Sequence, residues 1–187
     1  MKVVLDACVL YPTVMREMVL GVAARGLFAP LWSPRLLAEW HHTAARHGAE
    51  GRAQAEALAA RMAARWPRGC ITCPPEAEAR LWLPDPGDRH VLAAAIAGHA
   101  DGILTLNARD FPRHILAEEG LWRADPDGFL HGIWQAQPGL VAEVAAEVLA
   151  TARRLSARDW QMRPLLKKAR LPRLGRALDQ PAAPGAS

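Results

Sequence analysis

The chain is poor in three features that would each indicate a different class of protein. It has only three cysteines, only three lysines, and no apolar run near the roughly 18 residues that a membrane helix needs. The amino-terminal "MKVVLDACVLYP" does not have the pattern of an export signal, and an odd cysteine count argues against a disulfide framework. We therefore expect a cytoplasmic protein with reduced thiols, and we interpret Cys70 and Cys73 as a structural pair.

Charge is unevenly distributed along the chain. The net charge is +4 over 187 residues, but residues 150–187 hold nine Arg or Lys and two Asp, so they carry +7 while 1–149 carry −3. A basic carboxyl-terminal segment is typical of proteins that bind a polyanion, because Arg and Lys on phosphates release counterions. A solvated basic helix explains the same composition, so both interpretations remain open.

Alternating apolar runs and helical patterns organise most of the chain. The sequence "KVVLD" has the pattern of a strand buried on both faces, and "SPRLLAEWHHTAARHG" begins with Ser as a cap and Pro in the first turn. Strands separated by helices favour an α/β fold with a parallel sheet. The predicted strands are 2–6, 29–32, 70–73, 102–106 and 121–124. The predicted helices are 16–26, 33–48, 49–65, 88–99, 112–119 and 138–155.

Acidic side chains fall where the predicted strands end. Asp6 closes the first strand, Asp88 begins a helix, and Asp110 follows the strand "GILTL". The carboxyl ends of parallel strands share one edge of a sheet, so these groups are expected to converge. Two carboxylates about 5 Å apart repel by roughly 3 kcal/mol at an effective dielectric near 20, and a hard cation such as Mg²⁺ or Mn²⁺ offsets that repulsion.

Each acid also has a purely structural interpretation. Asp88 is a good helix cap, Asp85 suits a turn beside Pro and Gly, and Asp110 is placed to cap the next helix. The set favours function, because an acid at the end of a buried strand is costly without compensation.

Four segments, taken in order and at this spacing, resemble one protein family. The segments "VVLDACVLYP", "SPRLLAEW", "DPGDRHVLAAA" and "ILTLNARDFP" are similar to those of PIN-domain nucleases, the fold of VapC-type toxins, over roughly residues 1–130. The resemblance implies a three-layer α/β sandwich in which helices flank a central parallel sheet. It also implies an acidic site that binds Mg²⁺ or Mn²⁺ and cleaves RNA.

The resemblance assigns roles to particular residues. Asp6, Glu39 and Asp88 fall on the family's first three acidic positions. Asn107 lies where the family often has Asp, so Asn107 or Asp110 is expected to complete the site. The expected metal ligands are Asp6, Asp88, Asn107 and Asp110, with Glu39 as a further catalytic group.

Further residues are expected to act around this set. Asp85 and Thr105 are predicted to support the ligands, with the Thr105 hydroxyl positioning a water or a phosphate. Arg35, Arg89 and Arg109 are candidates for holding the RNA backbone, although a solvated surface role explains each equally well.

Two other enzyme classes are excluded by missing residues. A phosphoacceptor receiver domain needs a lysine after a late strand, and a haloacid-type phosphatase needs an acid at position 8, which is cysteine here. A nucleic-acid-binding or interaction module with a degenerate PIN-like site remains the alternative, and Asn107 is its main support.

The resemblance also implies partners and a domain plan. An antitoxin protein and a homodimer are expected from the family alone. We predict a nuclease domain over 1–133, a helical extension over 134–178 that is basic from about 150, and a disordered tail over 179–187.

Overall fold

The computed structural model describes residues 1–46 and 48–179, which contacts divide into two compact units. The sheet unit comprises Met1–Tyr11 and Gly26–Asp125, and the helical unit comprises Pro12–Arg25 and Pro126–Ser187. Residues 12–25 therefore group with the carboxyl-terminal part, although the sequence placed them in the nuclease domain. The predicted domain boundaries stay a prediction, and the predicted disordered tail lies, from residue 180, outside the described residues.

The sheet unit is built on four parallel strands in the order β2-β1-β3-β4. Its two central strands, β1 and β3, pair with Leu5 opposite Leu104, and Val3, Val4 and Leu5 are fully buried. This confirms the predicted α/β fold with a central parallel sheet flanked by helices. The strands are β1 (Lys2–Leu5), β2 (Ala29–Leu31), β3 (Gly102–Leu104) and β4 (Trp122–Ala124).

Eleven α-helices occur in the described residues, of which α2 and α8 to α11 belong to the helical unit. They are α1 (Ala7–Leu10), α2 (Thr13–Ala24), α3 (Pro34–Ala45), α4 (Gly48–Arg65), α5 (Pro75–Ala79), α6 (Arg89–Ala97), α7 (Arg113–Glu118), α8 (Pro126–Ala136), α9 (Pro138–Ser156), α10 (Met162–Lys168) and α11 (Pro172–Leu178). A 3₁₀ turn, Pro86–Asp88, precedes α6.

Two helices of the sheet unit carry candidate acids to the edge where the strands end. The α3 helix begins as predicted, since the Ser33 hydroxyl accepts a hydrogen bond of 3.2 Å from the backbone N–H of Leu36. The α6 helix packs on β1 and β3 through a fully apolar run, "VLAAA", that is buried throughout. Close packing of small residues gives α6 a fixed position against the sheet.

The predicted strand 70–73 is wrong. The segment makes one isolated bridge, in which Trp32 donates to the Gly69 carbonyl and accepts from Ile71, and no strand follows. Pro74 and Pro75 come next, and neither has an N–H group to extend the pairing.

The helical unit contains two short helices within the segment predicted as a helical extension. The segment after α9 forms the short helices α10 and α11, and Asp127 at the start of α8 accepts hydrogen bonds from the backbone N–H groups of Arg173 and Leu174. Arg25 and Glu147 form an ion pair of 2.6 Å within this unit. No helix among the described residues combines the length and apolar character needed to cross a bilayer.

Candidate metal centre

The first acid of the site lies where β1 ends. Since Leu5 pairs with Leu104, the next residues of the two strands, Asp6 and Thr105, are neighbours at the carboxyl edge of the sheet. The Asp6 backbone N–H continues the ladder by donating to the Leu104 carbonyl at 3.1 Å. Asp6 is 8% exposed, so its carboxylate is a buried charge that needs partners.

Two side chains donate to the same oxygen of Asp6. The Thr105 hydroxyl lies 2.6 Å from Oδ2 and the Cys8 thiol lies 3.0 Å from it. Each donor in turn accepts a backbone N–H, from Asn107 at 2.9 Å and from Leu106 at 3.2 Å. The two side-chain bonds from Thr105 and Cys8 both end on Oδ2, and neither engages Oδ1.

The thiol of Cys8 remains a donor at neutral pH. Burial, followed by the adjacent negative charge of Asp6, raises the pKa of Cys8 to about 12. A protonated thiol stabilises the Asp6 carboxylate, whereas a thiolate in the same place would repel it.

Three further carboxylates converge beside this pair. One oxygen from each of Asp85, Asp88 and Asp110 lies within 4.8 Å of the others, a spacing at which all three can bind one ion. The Asn107 side chain joins them, because its Nδ2 donates to Asp88 at 3.3 Å and to Asp110. A rotation of that amide by half a turn would present its oxygen to the same position.

The pKa of Asp88 is raised first by burial and then by neighbouring negative charges. Burial raises it from 3.8 to about 6, and the charges of Asp6, Asp85, Asp110 and Glu39 add to the effect in that order. Asp88 precedes α6, yet its side chain makes no capping hydrogen bond, whereas Asp85 caps the 3₁₀ turn by accepting from Gly87 at 2.7 Å. The Asp88 carboxylate is therefore not used by the helix that it begins.

Glu39 lies on the exposed face of α3, close enough to this edge for its charge to act on Asp88. Its Oε1 is 3.0 Å from Nε2 of His90 and 3.5 Å from Nε of Arg35. Burial raises the pKa of Glu39, and the guanidinium of Arg35 opposes that rise. Burial, followed by the charge of Arg35, lowers the pKa of His90 to about 4, so the imidazole is neutral at pH 7.

This arrangement fits a hard divalent cation. The converging groups are carboxylate and amide oxygens, which Mg²⁺ and Mn²⁺ prefer, and the neighbouring carboxylates add to the effect of burial in raising the pKa of Asp88. Asp85, Asp88 and Asp110 would hold an ion directly, with Asn107 through its oxygen. Asp6, expected from the sequence to be a ligand, is not a member of this three-acid group, but its charge acts on Asp88.

The three candidate arginines differ in how far they are engaged. Arg35 donates to Glu78 at 2.9 Å and to the Gly87 carbonyl at 3.3 Å, so its guanidinium is committed to this unit. Arg89 is half-buried, and its Nε has no hydrogen-bond partner among the described residues. Arg109 is exposed in the loop between Asn107 and Asp110. The exposed Arg109 is thus the best placed of the three to contact a substrate.

Three residues have a larger part here than sequence reasoning assigned. Asp85, predicted to support the ligands, lies among them at ligand distance. Cys8 and His90 were given no role, yet each contacts a predicted site acid. The available signal was spacing, because Cys8 follows Asp6 by two residues and His90 follows Asp88 by two.

An α/β fold whose parallel sheet collects acids at its carboxyl edge is compatible with binding of a divalent metal ion. Comparison with protein families gives a match to the PIN domain, which covers residues 2–109, more than half of the chain. The chain belongs to the PIN-domain family, whose members are generally metal-dependent nucleases. The VapC-type toxin subtype is not distinguished by this match. No curated protein and no solved structure matches the chain.

Proposed function

We propose that the protein is a Mg²⁺- or Mn²⁺-dependent endoribonuclease that hydrolyses phosphodiester bonds. The observation that carries the proposal is the group formed by Asp85, Asp88 and Asp110 in a PIN domain, with the charge of Asp6 acting on Asp88. Divalent ions bound there would supply an activated water and would neutralise charge on the scissile phosphate.

The chain's own residues prepare this site for a phosphate backbone. Thr105 and Cys8 donate to one oxygen of Asp6, which fixes the orientation of its carboxylate. Glu39 lies at the exposed rim, where its raised pKa suits it to hold or accept a proton from a water. Arg109 contributes a positive charge beside the acids, where it would contact the RNA backbone.

Cleavage of RNA by the purified protein tests the proposal. Single-stranded and structured RNAs should be cut in the presence of Mg²⁺ or Mn²⁺, and chelation of the metal should stop the reaction. Asp6→Ala should abolish cleavage while the protein keeps its circular dichroism spectrum. A folded protein that cuts no RNA of a broad panel with either metal would contradict the proposal.

A second function is favoured by one observation at the same site. Asn107 directs its Nδ2 at Asp88 and Asp110 and brings no charge, so an RNA-binding or interaction module with a degenerate site would look the same here. The two functions predict different results for the variant Asn107→Asp. This change should strengthen Mn²⁺ binding and cleavage in a nuclease, whereas a binding module should retain RNA without cutting it.

We further propose that this nuclease is the cytoplasmic toxin of a toxin–antitoxin pair and that it forms a homodimer. Both ideas rest on the resemblance to VapC-type toxins. Expression of the unmodified chain should arrest growth, and expression of Asp6→Ala should not. Growth that is unaffected by an active nuclease would contradict the toxin role, and a monomeric mass in solution would contradict the homodimer.

A further inference from the structure

Glu39 would be poorly placed for a metal centre if nothing held its side chain. It is 43% exposed on α3, and a glutamate with three rotatable bonds samples many positions at a surface. Two groups approach it, Nε2 of His90 at 3.0 Å and Nε of Arg35 at 3.5 Å, and both approach Oε1. Neither contact engages the other oxygen, Oε2.

His90 is the more rigid of the two groups. It is 3% exposed within the buried run of α6, the helix that packs on β1 and β3. Arg35 is half exposed and divides its donors between Glu78, the Gly87 carbonyl and Glu39. The position of Glu39 is therefore set mainly by a side chain that cannot move without α6.

The same helix also places another acid. Asp88 immediately precedes α6 and His90 is its second residue, so both have a fixed relation to the sheet. Asp88 points its carboxylate into the acidic group, while His90 contacts an acid that comes from a different element. One rigid helix can thus keep Asp88 and Glu39 at a constant separation.

Neither nitrogen of the His90 imidazole makes a hydrogen bond to another described residue. Although Nε2 is 3.0 Å from Glu39, the pair falls outside hydrogen-bond geometry, and Nδ1 has no partner among the described residues either. A buried polar ring in this condition requires an explanation. One alternative is that His90 and Glu39 bind the same ion, since two ligands of one ion also lie about 3 Å apart. The guanidinium of Arg35 beside Oε1 disfavours a cation there. His90 and Glu39 both lie outside the group of three acids that could hold one ion in the described residues.

We propose that His90 is a positioning residue, which limits the positions open to the Glu39 side chain through the 3.0 Å contact of its buried ring with Oε1. The proposal rests on the proposed function for the role of Glu39 at the metal centre. His90 acts only through Glu39, so removal of either side chain should have the same consequence, and removal of both should have no more.

Direct measurement of Mn²⁺ binding to the full chain by calorimetry tests this coupling. His90→Leu should weaken binding about 10-fold, within the range seen when groups that orient metal ligands are removed. Glu39→Gln should weaken it to a similar degree, and the double variant should bind no more weakly than Glu39→Gln alone. His90→Gln should restore most of the affinity, because the amide nitrogen of Gln lies the same number of bonds from Cα as Nε2 of His.

His41→Leu is the matched control. His41 also has a buried Nε2 without a partner among the described residues, but it follows Glu39 by two residues and so faces about 200° away around α3. This variant should bind Mn²⁺ as the unmodified chain does, with melting temperatures measured for all variants.

Three results would overturn the proposal. The first is unchanged Mn²⁺ binding by His90→Leu, and the second is no binding by the unmodified chain. The third is an additional loss when His90→Leu is introduced into Glu39→Gln, since that would make His90 an independent ligand. Failure of the nuclease function is seen separately, as Mn²⁺ binding with the expected coupling but no RNA cleavage.

Discussion

Asp6 in the sheet unit and Asp127 in the helical unit are equally buried, at 8% and 6% exposure, but their surroundings are opposite. Asp127 accepts three hydrogen bonds of 2.9 to 3.1 Å from backbone N–H groups at the start of α11. Asp6 accepts from a hydroxyl and a thiol, and its charge acts on two other acids, Asp88 and Glu39. Burial of a carboxylate therefore does not by itself indicate chemistry.

The difference lies in how the negative charge is balanced. The first turn of α11 offers Asp127 both free N–H groups and the positive end of the helix dipole, so this carboxylate is satisfied within the unit. Asp88 also precedes a helix, but its side chain makes no capping bond. The carboxylates at the sheet edge thus lack a comparable balance of their negative charge, and a bound cation would provide it.

The largest expected effect is a difference in catalytic activity between variants of Asp6 and of Asp127. Asp6→Asn should lower kcat/KM for RNA cleavage on the order of 1000-fold, because loss of an expected metal ligand removes several kcal/mol of transition-state stabilisation. Asp127→Asn should change kcat/KM less than about 3-fold, since its partners are backbone groups of α11. Steady-state cleavage of one RNA substrate measures both.

A comparable loss of activity in both variants would remove the distinction between the two acids. Melting temperatures provide the control, because Asp127→Asn that unfolds at the assay temperature would lose activity for a different reason. The assay is therefore run below the lower of the two melting temperatures.

The next effect concerns the groups that hold Asp6. Thr105→Val keeps the shape of the side chain and removes the hydroxyl that donates to Oδ2, so kcat should fall about 10- to 100-fold. Thr105→Ser restores the donor and should recover most of the activity. Equal kinetics for the Val and Ser variants would show that the hydroxyl has no part in orienting Asp6.

The sheet and the approximate position of the site were predictable from the sequence. The buried run "KVVLD" and the later "GILTL" indicated β1 and β3, and parallel strands bring their carboxyl ends together. That rule predicted that Asp6, Asp88 and Asp110 converge; Asp88 and Asp110 lie in one group, and the charge of Asp6 acts on Asp88. The predicted strand 70–73 was wrong because the prediction used only the apolar character of these four residues. It ignored the two prolines that follow, which cannot extend the pairing beyond one bridge.

The detailed contacts were not predictable, because they depend on the packing of distant segments. Thr105 contacts Asp6 across 99 positions, and Glu39 meets His90 only once α3 and α6 are placed on the sheet. Asp127 was missed for the same reason, since its partners are backbone groups 46 and 47 residues away that carry no sequence signal.

A smaller effect is expected in the stability of the helical unit. Asp127→Ala leaves the N–H groups of Arg173 and Leu174 without acceptors in a buried setting, which should lower the free energy of unfolding by about 2 kcal/mol. Chemical denaturation measures the change. Asp179→Ala alters an exposed acid in the same unit and should lower stability by less than about 0.5 kcal/mol. Equal losses in the two variants would contradict the role assigned to Asp127.

The smallest effect has the opposite sign and concerns Asp88 in metal-free protein. Its pKa is raised from 3.8 to about 6 by folding, so its contribution to stability is present below pH 4 and is lost as the pH rises through 6. Asp88→Asn removes this loss, and we expect the melting temperature in chelator to rise by about 2 °C at pH 7.5 and to be unchanged at pH 4. Added Mn²⁺ should stabilise the unmodified chain more than the variant. A variant that is less stable at pH 7.5 without metal would mean that the Asp88 carboxylate, like that of Asp127, is satisfied within the protein.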